Sequence, residues 1–286
     1  MNNIFILEET LGIMKAGGYW IDGEKVALRL SEEQFTNAIY LPVEKVRALC
    51  DQPEEKEKSG NGACEYRVKN EDSFLAASKM AEHPEPQRNA DKVLVLNFAN
   101  PIHPGGGVRR GARAQEEELC RKSTLLASLE SKKARPFYQV HRAANSHLAS
   151  DAMILSPDVE VIRDENNGLL KETMVVSVIT CAAPMINRGV QITREDLDRL
   201  LYDRIMGILH VAASYGYEKL VLGAWGCGAF GNDARQMAEI FERAFRNLRC
   251  AQQPERECFR QITFAVLDRS QSQYNYRSFQ AYFGNK

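Results

Sequence analysis

The strongest constraint on this chain is a set of short apolar runs separated by helix-length segments, beginning near residue 92. "KVLVLNFA" (92–99), "MVVSVIT" (174–180), "KLVLGAW" (219–225) and "ITFAVLD" (262–268) show little polar alternation, as strands covered on both faces do. A helix is predicted from about 115 to 130, and another near 233–248. Between the second and third runs, "TREDLDRLLYDRIMGILHVAASYGY" has a Thr cap, acids in its first turn, apolar spacing of three and four, and a glycine stop. "YRSFQAYF" closes as a short helix. Strands alternating with helices predict an α/β domain with a doubly covered sheet.

Residues 1–90 read as a mixed α+β accessory segment. "NIFILEETLGIMKAG" predicts a helix ending at Gly17–Gly18. "YWIDGEKVALRL" predicts a hairpin turning at Asp22–Gly23. The charged stretch 51–62 reads as a loop or hinge, "CEYRVKN" as a strand and "EDSFLAASKMAE" as a helix. "HPEPQRNAD" (83–91) breaks the chain, so the main domain is expected over 91–286.

Lys plus Arg is 37 and Asp plus Glu is 38, which excludes a protein held to nucleic acid by bulk charge. No stable nucleic-acid partner is expected. No run approaches ~20 apolar residues, so no membrane span is expected. Glu8 and Glu9 interrupt the first apolar run, which makes it a poor signal peptide. The cysteines (Cys50, Cys64, Cys120, Cys181, Cys227, Cys250, Cys258) are scattered and odd in number, without C-x-x-C or zinc spacing. They read as reduced thiols of a cytoplasmic protein, with no metal and no cofactor.

Two glycine loops follow strands: "NPIHPGGG" and "GAWGCGAFGND". Both are expected at the carboxyl ends of strands, where open α/β sheets bind ligands, and so to line one cleft. Backbone without Cβ admits a ligand, and free N–H groups there attract anions. Gly226, Gly228 and Gly231 match G-x-G-x-x-G, but no acid follows about 20 residues on at a strand end, so the dinucleotide reading fails. A P-loop is excluded, because no Gly-Lys-Ser/Thr occurs.

Eight residues past Gly107, Gln115 leads into Glu116, Glu117 and Glu118 at a predicted helix start. Acids there are favoured by the helix dipole alone. Neighbours on a helix point about 100° apart, so at most two can face one ligand. A Glu held protonated near neutrality by burial or a second carboxylate can protonate a leaving oxygen, as glycosidic cleavage requires.

"GGGVRRGARAQEE" resembles the Gly-Gly-Gly…Gln-Glu-Glu signature of poly(ADP-ribose) glycohydrolases, and "NFAN" and "LCRKSTL" resemble the bacterial-type members. "GAWGCGAFGND" resembles that family's second ligand loop, and "VVSVITCAAP" its intervening strand. The resemblance runs over roughly 92–270. It implies a macrodomain-like three-layer α/β/α fold with a mixed central sheet, cleaving ribose–ribose O-glycosidic bonds to release ADP-ribose. It also implies roles: Glu117 as the catalytic acid, Glu116 as its partner on a ribose hydroxyl, and Asn100 on the same ribose. Gly105, Gly106, Gly107 and Gln115 would contact the substrate. Gly226, Gly228 and Ala229 would hold the diphosphate, with Phe230 packed on the ligand. The partners implied are poly(ADP-ribose) or ADP-ribosylated macromolecules. The alternatives are a hydrolase of single ADP-ribose groups on protein or DNA bases, and a macrodomain that binds ADP-ribose without cutting it.

Other residues invite roles. Arg109, Arg110, Arg113, Arg121 and Lys122 flank the first loop as a steering patch or a solvated face. His103 and His141 read as structural. Cys227 is a small loop residue or an oxidisable thiol, Trp225 strand-end packing, and Asp268 a cap or turn.

Overall fold

A computed structural model of the chain describes residues 2–51, 64–82, 88–250, 253–254 and 258–284. The stretch read as a hinge lies outside these residues except for Asp51, and so does 83–87 of the break.

Helix α1 (Asn3–Ala16) starts at Asn2, whose side chain accepts the Ile4 N–H, and ends at Gly17 in left-handed backbone, φ 69°. The hairpin β1 (Gly18–Ile21) and β2 (Glu24–Ala27) turns at Asp22–Gly23 as expected. Next come α2 (Glu32–Phe35), β3 (Ile39–Leu41), α3 (Val43–Asp51), β4 (Glu65–Lys69) and α4 (Ser73–Met80). The middle of the chain holds β5 (Val93–Phe98), α5 (Gln115–Lys122), α6 (Leu125–Glu130), α7 (Arg135–Ala144), β6 (Met153–Arg163) and β7 (Leu169–Cys181). It continues with α8 (Arg194–Ser214), β8 (Lys219–Leu222), α9 (Ala234–Asn247), β9 (Arg249–Cys250), β10 (Gln253–Pro254), β11 (Gln261–Ala265) and α10 (Tyr274–Phe283).

Among the described residues, seven strands form one sheet in the order β3-β6-β7-β5-β8-β11-β4. From β7 to β4 every pairing is parallel, while β6 and β3 pair antiparallel at one side. The fold is therefore mixed α/β with a mostly parallel sheet. Alternate residues of β5 enter different cores. Leu94 and Leu96 pack with α8, α9 and α10, whereas Val93 and Val95 pack with α4, α5, α6 and α7.

Three expectations need correction. The helix drawn over 115–130 is two helices. Ser123 is extended at φ −152° and bridges to Val161 of β6, while the Thr124 N–H bonds the Glu160 carbonyl at 3.0 Å. Sheet contact thus overrides helix periodicity there. The division near residue 90 does not divide the sheet, because β3 and β4 of segment 1–90 are its two edge strands. Long-range strand pairing leaves no mark in local composition. Cys50, Cys120, Cys181 and Cys227 are free thiols, but Cys258 is disulfide-bonded, and spacing alone does not reveal which cysteines a fold brings together. No helix among the described residues is long and apolar enough to cross a membrane.

Candidate active site

Strands β5, β7, β8 and β11 run parallel, so the segments leaving their carboxyl ends gather at one end of the sheet. A cleft of about 300 Å³ opens there. Its walls include Phe98 at the end of β5, Ala183 after β7, Ala224 after β8 and Ala265 at the end of β11. The first turns of α5, the second glycine loop and Asp72–Ser73 before α4 complete it. The two glycine loops follow β5 and β8, which are neighbours.

The first loop owes one of its glycines, Gly106, to the acids behind it. Gly106 sits at φ +56°, and a Cβ there would collide with Glu117 Oε1 and come within 3.1 Å of Glu116 Oε2. Gly105, at φ +66°, is closed in by Leu126 and Cys120 of the helices behind it. The Gly107 N–H donates to Glu117 Oε1 at 2.7 Å. The Gly106 N–H donates to the His103 carbonyl at 2.9 Å. These amides serve the protein's own groups, so the expectation that they lie bare for a phosphate is corrected, and at Gly106 a carboxylate occupies the missing Cβ position.

Glu116 and Glu117 are buried, 2% and 7% exposed, while Glu118 turns along the helix to Arg121 at 2.5 Å. Two of the three acids thus converge, as helix geometry allows. Glu116 accepts from the Asn100 N–H at 2.7 Å and from Asn97 Nδ2 at 3.3 Å. Burial pushes its carboxyl up to about 8, against the pull of those hydrogen bonds, and the charge of Glu117 adds to the rise. Glu117 Oε2 is buried and has no hydrogen-bond partner among the described residues.

The second loop is built differently. Gly226 sits at φ +73°, and a Cβ there would come within 2.6 Å of Ala183 and Asn232. Asn232 ties the loop down by donating to Pro184 O at 2.8 Å and Gly226 O at 3.1 Å. Gly228 faces open space. The N–H groups of Gly228, Ala229 and Phe230 have no acceptor among the described residues. Gly226, Gly228, Ala229 and Phe230 all line the cleft.

Other candidates fall into place. The Asn100 side-chain oxygen accepts from the Ile102 and His103 N–H groups, folding the loop start. Gln115 lines the cleft, but its amide is engaged: it accepts from Phe98 N at 2.9 Å and donates to Leu96 O at 2.8 Å and Ser73 Oγ at 3.1 Å. These bonds fasten α5 to the end of β5. Arg121 and Lys122 are buried, so neither belongs to a steering patch; Arg109 pairs with Glu130, and Arg113 lines the cleft. His103 is exposed. His141 is held between the Phe137 carbonyl at 2.7 Å and Ser150 Oγ at 2.9 Å, and burial lowers its pKa. Burial pushes the Cys227 thiol up, which disfavours the reactive thiolate. Trp225 is fully buried and donates to the Cys181 carbonyl at 2.9 Å. Asp268 caps α10 through the Asn275 and Tyr276 N–H groups.

Sequence reasoning missed Asn97, which also donates to Thr180 Oγ1 at 3.2 Å and leaves its own oxygen buried without a partner. The available signal was a polar residue inside an otherwise apolar run.

Residues 7–164 match the microbial-type PARG catalytic-domain family model. No curated protein matches the chain. Among solved structures, poly(ADP-ribose) glycohydrolase (PARG) from Thermomonospora curvata is 34% identical at a TM-score of 0.87, covering 98% of this chain and 99% of that one. A second structure of that protein, bound to the inhibitor ADP-HPD, is 33% identical at 0.85 with the same coverage. PARG from Deinococcus radiodurans, in complex with ADP-ribose, is 32% identical at 0.77, covering 90% of this chain and 97% of that one. With the paired acids behind the first glycine loop and this agreement along nearly its whole length, the chain belongs to the microbial-type poly(ADP-ribose) glycohydrolase family.

Proposed function

We propose that this chain hydrolyses the ribose–ribose O-glycosidic bonds of poly(ADP-ribose), releasing ADP-ribose, with Glu117 as the general acid. The observation that carries the role is the state of that carboxyl. Oε1 is fixed by the Gly107 N–H, while Oε2 is buried without a partner among the described residues, which leaves it as the oxygen available to a substrate. The proton goes to the bridging ribosyl oxygen, whose bond to the anomeric carbon breaks with the electron pair leaving on that oxygen. Water adds to the oxocarbenium-like carbon, and its proton returns to the Glu117 carboxylate. Glu116, whose carboxyl burial keeps protonated near neutrality, holds a ribose hydroxyl beside the reacting centre, with Asn100 at the same sugar.

The free amides of Gly228 and Ala229, with Gly226 shaping the turn, receive the diphosphate, and Phe230 packs on the ligand. Gly105, Gly106 and Gly107 let the acids approach the sugar, and Gln115 holds α5 in place rather than gripping substrate. Complexes of the relatives with ADP-ribose and ADP-HPD support this ligand class. The two helix-covered faces support a macrodomain-like three-layer α/β/α arrangement. In this reading 91–286 carries the catalytic groups, 1–90 is an accessory segment that braces them, and the enzyme works in the cytoplasm without a stable nucleic-acid partner.

Glu117→Gln tests the role. Release of ADP-ribose from labelled polymer should fall by about 10²–10⁴-fold, the usual worth of a positioned general acid. The dissociation constant for ADP-ribose should stay within a few-fold. Undiminished release in that variant removes Glu117 from the mechanism.

A further inference from the structure

The steering patch expected beside the first loop contains a residue that cannot steer anything. Arg121 is fully buried on α5, and its Nε has no hydrogen-bond partner among the described residues. Its guanidinium donates to the Ala112 carbonyl at 2.6 Å and to Glu118 at 2.5 Å. Ala112 ends a tight segment that begins at Gly107: the Ala112 N–H bonds the Gly107 carbonyl at 3.2 Å, and the Arg110 N–H bonds it at 2.9 Å.

Glu117 and Arg121 are four residues apart on one helix, so their side chains share a face. The same short segment is therefore held on α5 at two points of opposite polarity. Its first N–H, at Gly107, lies on the Glu117 carboxylate, and its last carbonyl, at Ala112, lies on Arg121. Helix α1 braces the far side. Asn3 Nδ2 donates to the Gly111 carbonyl at 2.9 Å, and Thr10 Oγ1 donates to the Arg121 carbonyl at 2.7 Å. Arg163 of β6 donates in turn to Thr10 Oγ1 at 3.0 Å.

We propose that Arg121 is a positioning residue for the glycosidic step: by holding the Ala112 carbonyl on α5 it fixes the 107–112 segment, and through the Gly107 N–H it aims the Glu117 carboxyl. This rests on the general-acid role of Glu117 proposed above. Without that attachment the segment keeps only the Asn3 brace at Gly111 and the catalytic carboxyl, and the carboxyl moves with it. Arg121 acts mainly on turnover: it bonds Ala112 and Glu118, and although Glu118 lines the cleft, the free amides of the second loop depend on neither bond. A lysine keeps the charge but lacks the planar fork that reaches two acceptors at once.

The test compares Arg121→Lys, Asn3→Ala and Glu117→Gln, each checked for folding by a thermal melt. kcat and KM are measured on poly(ADP-ribose), with the dissociation constant for ADP-ribose. Arg121→Lys should lower kcat at least tenfold, leave the dissociation constant within about threefold, and shift the acidic or basic limb of the pH–rate profile, because the Gly107 donation to Glu117 is disturbed. Asn3→Ala, at a half-buried position, should lower kcat two- to fivefold in the same pattern and decides the matter if Arg121→Lys does not fold. An unchanged kcat and pH profile in a folded Arg121→Lys overturns the proposal, as does a rise in KM alone. If Glu117→Gln retains turnover, the general-acid reading fails instead. If only Glu117→Gln is inactive, the role of Arg121 alone is lost.

Discussion

Gly106 lacks a side chain because Glu117 stands where one would be. Its backbone is also left-handed, at φ +56°, which costs an L-residue about 1–2 kcal/mol. Gly106→Ala should therefore lose at least that much stability in urea melts and displace Glu117, lowering turnover about 100-fold; an active variant would mean the carboxyl has room to retreat. Glu116 makes a different prediction. Its folded pKa of about 8 exceeds its ordinary value of 4.5, so the folded state binds more protons than the unfolded one between those pH values. Stability from this group is therefore full below the ordinary value and falls as pH rises toward the folded value, by up to about 1.4 kcal/mol per pH unit. Glu116→Gln should flatten that slope in melts from about pH 5 to about 8, with the largest gain at the alkaline end. The new amide has a partner at hand, because the unpaired Asn97 oxygen can turn to accept from it. The spacing from Gly107 to Glu117 was legible because it is local along the chain. The roles of Asn97 and Arg121 were not, since a buried polar group is explained only by partners that the fold delivers.

Helix α5 has eight residues and no side-chain cap at its start, and helices this short are marginal alone. Neighbours hold it in place. Gln115 joins it to β5 at one end, and at the other Ser123 and Thr124 join it to β6. Thr124 Oγ1 accepts the buried Glu160 N–H at 2.9 Å, while the Thr124 N–H bonds the Glu160 carbonyl at 3.0 Å. Thr124→Val keeps the shape but leaves that N–H unpaired, so unfolding in urea should come about 1–3 kcal/mol earlier. A shift under about 0.5 kcal/mol would mean that the fixed end of α5 rests on packing alone. Long helices such as α8 and α9 were readable from their periodicity, and α8 also from its cap at Thr193. β6 went unread because Pro157 splits it, and its pairing with β7 shifts register between Ser156 and Val159. The break between α5 and α6 was hidden for the opposite reason: leucines continue the helical spacing across a pair of residues that the sheet captures.

At the scale of the molecule, the segment before residue 90 is part of the folding unit. β3 covers the edge of β6 through Ile39–Leu41, and β4 covers the edge of β11 in a five-residue parallel register from Glu65 to Lys69. α4 sends Phe74, Ala77 and Met80 into the core beneath β5 and β8, and α3 adds Val46 and Leu49 on the other face. α1 adds Leu7 and the brace behind α5. A fragment spanning 91–286 would expose two hydrophobic sheet edges, which invite association with other chains. Each large apolar side chain lost from the core forfeits about 1.5–3 kcal/mol of burial. Five such residues are enough to exhaust the roughly 5–15 kcal/mol that hold a domain folded. The fragment should therefore aggregate or lack a cooperative melt, and should release no ADP-ribose from polymer. Adding residues 1–90 as a separate chain during refolding should restore part of both, because the missing strands complete the two edges of the sheet. A monomeric 91–286 that melts cooperatively and turns over substrate would show instead that the edge strands are an addition to a self-sufficient sheet.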